Sequence, residues 1–286
     1  MQIRDRFARL CLPTTTCASV LKARIENPMD QLSERVGQKL EQNYVKKTYD
    51  NIAEDFSSTR YKKWPRVELF LRDLPGQSLV LDVGCGNGKY LDNPSTFNIG
   101  CDLSRNLLMI CKSRGHDVVR CDMLHLPFRR RIFDAIICIA ALHHVATKQR
   151  RHQCLEGMTN LLSSRSSKLL IQVWSYEQET CDGNPYLKTG QGDADVDHPR
   201  EIAIDDTVSI ALHRNRTPFR NQDVLVPFQV RRDHVSTPAE KQHLRYYHVF
   251  RENELNDLIK QILDVKIVES YYDKGNWCSV ISPAQI

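Results

Sequence analysis

The stretch LDVGCGNGKYL, residues 81–91, follows an apolar run and places Gly84, Gly86 and Gly88 at every second position. Glycine is used where a backbone turns tightly or approaches a ligand closely. A nucleoside triphosphate site would need G-x-x-x-x-G-K followed by Ser or Thr, but a tyrosine follows Lys89 here. A dinucleotide site would place its third glycine one position later. The D-x-G-x-G-x-G spacing therefore favours close approach of an amino-acid moiety that carries no phosphate.

Around this loop, apolar runs alternate with helical patterns. The predicted strands are 78–83, 97–102, 117–122, 133–142, 168–174, 265–272 and 276–282. The predicted helices are 30–56, a short one between the first two strands, 103–114 with Ser104 as its N-cap, 148–163 and 252–263. Strands that alternate with helices form a parallel sheet covered on both faces. We therefore expect an α/β, Rossmann-like fold with a mostly parallel seven-stranded sheet and an antiparallel last strand.

Three acidic residues stand at the ends of the first three strands. Asp102 follows Asp82 by 20 residues, the distance at which an acid accepts hydrogen bonds from ribose hydroxyls. Asp122 is placed to face an adenine edge, next to Met123. The combination predicts S-adenosylmethionine bound by a class I methyltransferase fold; the alternative is a plain turn with two helix-capping acids. The candidate cofactor-binding residues are Asp82, Gly84, Cys85, Gly86, Asn87, Gly88, Asp102, Leu103, Asp122, Met123 and Ala140.

The composition narrows the class of protein. A net charge of +5 permits a polyanionic partner without requiring one. No apolar run reaches the roughly 18 residues of a membrane span. The 10 cysteines are scattered, with no Cys-x-x-Cys pair. This pattern predicts reduced thiols and no metal site in an intracellular protein of the cytoplasm or nucleus.

Two segments stand apart from the predicted methyltransferase domain, residues 29–286. Residues 1–28 are poor in acids and contain several Arg, Ser and Thr residues. We expect a flexible N-terminal segment there, with a mitochondrial presequence as the alternative. Residues 177–211 are rich in Asp and Gly and poor in apolar residues, which predicts a mobile insertion within the domain.

Several segments together resemble the eukaryotic tRNA wobble-uridine carboxyl-methyltransferases. In chain order these are FSSTRYKKWP, LDVGCGNGKYL, IGCDLSRNLL, CDMLHLPF, FDAIICIAALHHVAT, LLIQVWSYEQE, NRTPFRNQDVLVPF, YYHVFRENEL and VESYYDKGNWC. The likeness covers residues 44–282 apart from the expected insertion. Some animals fuse this domain to an AlkB-type dioxygenase, and the resemblance implies the standalone form here.

The resemblance implies methyl esterification of 5-carboxymethyluridine at the tRNA wobble position, with S-adenosylmethionine as donor. A carboxylic acid with a pKa of about 4 is ionised at neutral pH, so no general base is required. The enzyme must instead position the carboxylate. The candidate catalytic residues are His144, Arg60, Arg216 and His143. We expect His144 to face the substrate and its neighbour to orient a loop, although a structural role is the alternative for either histidine.

The resemblance also implies two partners. One is a tRNA anticodon stem-loop, and the candidate substrate- or RNA-binding residues are Arg60, Lys62, Lys63, Trp174, Arg214, Arg216, Tyr247 and Trp277. Further cations available for phosphate contacts are Lys46, Lys47, Arg129, Arg130, Arg131, Arg150 and Arg151, so tRNA affinity should fall several-fold from low to physiological salt. The other partner is a small zinc-ribbon activator subunit, which would pair with the third strand at the sheet edge to form a heterodimer. Two alternatives are a non-catalytic tRNA- or partner-binding paralogue that retains the cofactor site, and a methyltransferase of another carboxylate.

Overall fold

The computed structural model describes residues 34–178, 200–228 and 243–284. The expected flexible segment at the N-terminus lies outside the described residues, as do residues 179–199 of the expected insertion. Within the described part of the chain, no helix is long and apolar enough to cross a lipid bilayer.

Seven α-helices and eleven strands are found in these residues. The helices are α1 (Glu34–Glu41), α2 (Lys47–Asn51), α3 (Ala53–Thr59), α4 (Pro65–Arg72), α5 (Arg105–Ser113), α6 (Lys148–Thr159) and α7 (Glu254–Ile259). The strands are β1 (Leu79–Val83), β2 (Phe97–Asp102), β3 (Asp117–Arg120), β4 (Ala135–Ile139), β5 (Lys168–Trp174), β6 (Glu201–Ala203), β7 (Ser209–Leu212), β8 (Asp223–Phe228), β9 (His243–His248), β10 (Val265–Tyr272) and β11 (Asn276–Pro283). Ser104 caps α5 as expected, because its side chain accepts a hydrogen bond from the Leu107 amide.

The main sheet has the strand order β10-β11-β5-β4-β1-β2-β3. β1 pairs in parallel with β2 and β4, and β4 pairs in parallel with β5. The last strand, β11, is antiparallel to both of its neighbours. Residues of α6 and α7 pack on one face and residues of α4 on the other, which explains why β4 is apolar and buried throughout. The predicted α/β fold, with its mostly parallel seven-stranded sheet and antiparallel last strand, is confirmed.

One predicted helix is absent. The other predicted helices are present, and each begins or ends a few residues away from its predicted limits. The segment 84–96, where a short helix was expected between β1 and β2, consists of turns. Gly88 has a φ of +78°, a left-handed value that a right-handed helix does not contain. The chain therefore passes from β1 to β2 through a compact turn that keeps its backbone close to the sheet edge.

A second, four-stranded sheet was not predicted from the sequence pattern. Its order is β6-β7-β8-β9. β6 and the first three residues of β7 lie within residues 177–211, so strands occupy the C-terminal end of the expected insertion. These strands are short, and their apolar residues are buried against distant parts of the chain: Ile210 packs in one cluster with Leu40 and Tyr246. A pattern confined to one short segment does not reveal such contacts.

The described part of the predicted helix 30–56, from Glu34 onward, consists of several consecutive helical pieces. A π-helical segment, Gln42–Lys46, joins α1 to α2, and Ile52 interrupts the path between α2 and α3 with φ −101° and ψ 8°. The wider π turn brings Glu41, Val45 and Tyr49 to one side, where all three line the same cavity. The N-terminal helices thus form a wall above the edge of the main sheet.

Candidate active site

A cavity of about 990 Å³ lies at the carboxyl ends of β1 to β5. This is the edge at which ligands bind in open α/β sheets. The N-terminal helices and the second sheet cover it from above. The candidate residues that line it are Arg60, Lys62, Lys63, Asp82, Gly84, Cys85, Gly86, Asn87, Asp102, Leu103, Asp122, Met123, Ala140, His143, His144, Trp174, Arg216 and Tyr247. The structure therefore brings most of the candidates together in one place.

Three candidates do not line this cavity. A Cβ on Gly88 would stand 2.9 Å from the Cys111 sulfur, so this glycine serves the packing of the loop against α5. The ring of Trp277 packs edge-to-face on Tyr272, with centroids 5.0 Å apart, and its Nε1 donates to the Glu177 carboxylate at 3.2 Å. Arg214 is exposed in the turn before β8. Packing explains the first two residues without a ligand.

The glycine loop is hydrogen-bonded to the end of β2. Gly84 has a φ of +75°, and a Cβ there would stand 2.4 Å from the Cβ of Ala141, so only glycine fits. The amide of Gly86 donates to Asp102 Oδ2 at 2.9 Å, and the amide of Ser104 donates to Asp102 Oδ1 at 2.8 Å. Asp102 thus holds the loop and the start of α5 in register, while each of its oxygens keeps a further lone pair.

Asp82 is a buried acid that suits a cationic ligand. It is 2% exposed, and no hydrogen-bond partner of its Oδ2 is found among the described residues. Burial, followed by the nearby Asp102 carboxylate, raises the pKa of Asp82 to about 7. A cationic ligand would offset this repulsion, and an ammonium group would also donate the missing hydrogen bond to Oδ2. These acids and the adjacent glycine loop therefore fit S-adenosylmethionine.

Ala140 lies at the carboxyl end of β4 with a φ of +54°, a left-handed value that is strained for a residue with a Cβ. Its amide donates to the Gln172 carbonyl of the adjacent strand at 2.9 Å, which fixes this geometry. Such backbone strain is concentrated at functional sites. It directs the chain from β4 into the short 3₁₀ turn Leu142–His144, which carries both candidate histidines.

The hydrogen bonds of His144 are satisfied within the protein. Its Nδ1 lies 2.7 Å from the Tyr246 carbonyl, which can only accept, so Nδ1 carries the proton. Its Nε2 therefore accepts from the hydroxyl of Tyr49 at 2.9 Å. Burial lowers the pKa of His144 to about 3, so the ring is neutral at physiological pH. This histidine connects the N-terminal helices to the second sheet.

His143 has the opposite tautomer to His144. Its Nδ1 accepts a hydrogen bond from the Trp174 amide at 3.2 Å, so the neutral ring carries its proton on Nε2. Burial, together with the charges of neighbouring groups, lowers its pKa well below the ordinary range. The ring stacks on Tyr247 with centroids 4.8 Å apart and lines the cavity. Both histidines line the cavity, and they differ in that both ring nitrogens of His144 have hydrogen-bond partners within the protein.

Among the cavity residues that were not singled out from the sequence are Tyr49 and Arg245. Arg245 and Tyr247 are two positions apart on β9, so they point to the same face of the second sheet, and both line the cavity. The alternating pattern of HLRYYH could have indicated this, because alternate residues of a strand share a face.

Five of the expected phosphate contacts lie away from the cavity, and two of them are buried. Arg150 and Arg151 are 4% and 1% exposed. Arg150 forms an ion pair with Glu41, and Arg151 donates to the carbonyls of residues 145 and 146. The exposed Arg129 and Arg130 precede β4 at its amino end, the opposite edge of the sheet from the cavity. The neighbouring Arg131 is held there by a hydrogen bond that its backbone N–H donates to the Asn160 carbonyl.

Comparison with known proteins gives consistent matches. A family model described as a methyltransferase domain matches residues 81–167. The chain is 43% identical over 260 residues to the tRNA (carboxymethyluridine(34)-5-O)-methyltransferase of Xenopus tropicalis, across 85% of this chain and 41% of that protein. It is 34% identical over 250 residues to the protein of the same name from Schizosaccharomyces pombe, across 83% of this chain and 95% of that protein. The chain thus spans less than half of the length of its vertebrate relatives and nearly the full length of the fission-yeast one.

Solved structures match the fold. A crystal structure of an S-adenosylmethionine-dependent methyltransferase from Clostridium acetobutylicum superposes with a TM-score of 0.56 at 15% sequence identity. The match covers 84% of this chain and 99% of that one. At this level of identity the likeness concerns the fold, which is that of the class I S-adenosylmethionine-dependent methyltransferases.

Proposed function

The chain belongs to the family of tRNA (carboxymethyluridine(34)-5-O)-methyltransferases, and from this premise we propose that it esterifies the carboxylate of 5-carboxymethyluridine at the wobble position of tRNA. One observation carries the proposal. A single cavity is lined by the acids Asp82 and Asp102, which suit a cationic cofactor, and by the buried donors His143 and Arg245, which suit a carboxylate. The acids lie at the edge of the main sheet where this fold binds its ligands.

The proposed cofactor is S-adenosylmethionine, which supplies an electrophilic methyl group on a sulfonium. Asp102 would accept from the ribose hydroxyls with the lone pairs that the Gly86 and Ser104 amides leave free. Asp82 would face the cationic amino-acid part, in keeping with its buried and unpartnered oxygen. Asp122 and Met123 line the same cavity at the end of β3, where an adenine would lie.

The substrate carboxylate needs positioning rather than deprotonation. It is already ionised at neutral pH, so one of its oxygens can form the bond to the methyl carbon as the bond from carbon to sulfur breaks, with no proton transferred. Both cavity histidines are neutral, and neither is needed as a base. His143 would donate its Nε2–H to the carboxylate, while His144 would position Tyr49 and the cavity wall.

The modified base would enter between aromatic rings. The rings of Trp174 and Tyr247 lie 4.7 Å apart, centroid to centroid, at the end of β5 and on β9. Unstacked bases in RNA recognition stack on such side chains. Arg60, Lys62, Lys63 and Arg216 surround the opening and would contact backbone phosphates of the anticodon loop.

A small zinc-ribbon activator subunit is proposed as the protein partner. β3 is the terminal strand of the main sheet and pairs only with β2 among the described strands. The exposed edge of such a strand offers backbone groups to a partner strand. The full activity of the chain should therefore require the partner subunit, and a chain that is fully active and monodisperse alone would count against the pairing.

The proposal is tested by methyl transfer. The chain and its activator would be incubated with S-adenosylmethionine labelled in the methyl group and with tRNA bearing 5-carboxymethyluridine. We expect base-labile label in the tRNA, because a methyl ester hydrolyses in base. Cofactor binding without transfer would indicate a non-catalytic relative, and transfer only to a small carboxylic acid would indicate a different substrate.

A further inference from the structure

We infer that Arg245 is the residue that binds the substrate carboxylate and makes the site selective for a carboxylate over the corresponding carboxamide. The inference rests on the proposed function and adds to it a residue that the sequence did not indicate. A guanidinium offers two parallel N–H donors, which match the two oxygens of a carboxylate.

The position of Arg245 is the first support. It is 5% exposed, yet it lines the cavity beside Tyr49 and Tyr247. A buried guanidinium keeps its charge and acts in a medium that screens it weakly. The exposed Arg60 and Arg216 lie at the opening, where water and salt weaken their attraction for a single carboxylate.

The fixed orientation of the side chain is the second support. The guanidinium lies over the rings of Phe228 and Tyr247, with its carbon 5.2 Å from each ring centre. Its Nη2 also donates to the Pro227 carbonyl at 3.4 Å. These contacts hold the group in place before a substrate arrives, which reduces the entropy lost on binding.

The neighbouring groups complete the site. The nearby His143, whose neutral ring carries its proton on Nε2, lines the cavity. The positive charge of Arg245 acts on both His143 and His144, and after burial it is among the causes that lower their pKa. This corner therefore offers positive charge and donors. A carboxylate accepts from such groups with both oxygens, whereas a carboxamide would direct its NH₂ at them.

The test compares three anticodon stem-loops that differ only in the wobble base: 5-carboxymethyluridine, 5-carbamoylmethyluridine and uridine. Their affinities are measured for the full chain with its activator and S-adenosylhomocysteine. We expect the wild type to prefer the carboxylate over the carboxamide by about tenfold or more. Arg245→Met should bind both with the wild-type affinity for the carboxamide, and Arg245→Lys should recover part of the preference. The matched control, Arg60→Met, should weaken all three stem-loops by a similar factor.

A second measurement uses the wild type alone and does not depend on any variant folding. All affinities should fall as salt is raised from 50 to 300 mM, but the ratio between carboxylate and carboxamide should stay constant within about twofold, because a buried clamp is weakly screened. A ratio that collapses with salt, or a preference that survives in a folded Arg245→Met, would overturn the assignment. A wild type that neither methylates the carboxylate nor prefers it would instead refute the proposed function.

Discussion

At the scale of a single residue, Asp82 connects the proposed cofactor site to the stability of the fold. The fold disfavours the ionised form of its carboxyl group. Burial and the Asp102 charge raise the pKa of Asp82 to about 7, against 3.8 in an unfolded chain. The folded protein therefore keeps a proton between about pH 4 and 7 that the unfolded chain has lost. Stability decreases as pH rises through this window, and above pH 7 the folded state bears the full cost of the ionised group.

We expect Asp82→Asn to stabilise the cofactor-free protein. The gain should be small at pH 4, grow towards pH 7 and then level off, with an upper limit of about 4 kcal/mol. Urea unfolding at pH 4.5 and pH 8 measures the difference. The matched control is Asp117→Asn at the exposed start of β3, which should show no such pH-dependent gain. A variant that is no more stable than the wild type at pH 8 would contradict the raised pKa.

Asp102→Ala should weaken S-adenosylmethionine binding by about 10- to 100-fold, the effect of losing hydrogen bonds to a charged group. The variant loses the acceptor for the ribose and also releases the amides of Gly86 and Ser104. Isothermal titration calorimetry gives the affinity directly, with Asp117→Ala as the control. An unchanged affinity would refute the ribose role of Asp102.

Single residues also show where sequence reasoning ends. The spacing of Asp82 and Asp102 predicted that both lie at the same edge of the sheet. Each stands at the carboxyl end of a parallel strand, and the two strands are consecutive in the chain. The adjacent histidines could be placed after β4, but their roles depend on Tyr49 and Tyr246, each about 100 positions away. No local pattern encodes a hydrogen bond of that range, so the sequence could not show which ring nitrogens of the two histidines have partners within the protein.

At the scale of elements, a buried ion pair between Glu41 of α1 and Arg150 of α6 connects the two helices. The guanidinium of Arg150, 4% exposed, donates to both oxygens of Glu41 at 2.9 and 2.6 Å. Glu41 Oε1 also accepts from the Ala146 amide at 2.9 Å. Glu34 forms a second ion pair with the same arginine, but its side chain is 58% exposed. The wall of the cavity formed by the N-terminal helices therefore depends mainly on Glu41.

Glu41→Ala should destabilise the fold by about 3 kcal/mol or more, because it leaves a buried guanidinium without its main partner. Glu34→Ala, the matched control, should cost less than about 1 kcal/mol, since that carboxylate is exposed. Denaturant unfolding measures both. The double variant Glu41→Leu, Arg150→Met should recover part of the loss, because no unpaired charge remains. Equal effects of the two single variants would show that burial does not distinguish the pairs.

The elements themselves were predictable to different degrees. The central strands β1, β4 and β5 were identified because each is an apolar run that is buried between two neighbouring strands. The second sheet was missed, since β6 has three residues and β7 has four, and their burial depends on α1. The π-helical segment was also missed, although it places Val45 and Tyr49 on the cavity side, because its composition resembles that of an ordinary helix.

At the scale of the whole molecule, the positive charge divides into regions with different roles. Of the cations named from the sequence, Arg60, Lys62, Lys63 and Arg216 line the cavity. Arg150 and Arg151 are buried, and Arg129, Arg130 and Arg131 lie at the opposite edge of the main sheet. Lys46, Lys47 and Arg214 do not line the cavity. We therefore expect fewer phosphate contacts at the cavity than the number of cations in the sequence suggests.

Four contacts of this kind predict a definite salt dependence for tRNA binding. The logarithm of the affinity should fall with the logarithm of the salt concentration at a slope of about −3, a loss of roughly fiftyfold between 50 and 200 mM. Lys62→Gln should reduce the slope by nearly one, because it removes one phosphate contact at the opening. Arg130→Gln, with the same charge change at the far edge, should leave the slope unaltered. Equal slopes for these two variants would indicate that the tRNA binds elsewhere on the surface. If the anticodon loop binds at the cavity, removing a charge beside the cavity should lower the slope, whereas removing one at the far edge of the sheet should not.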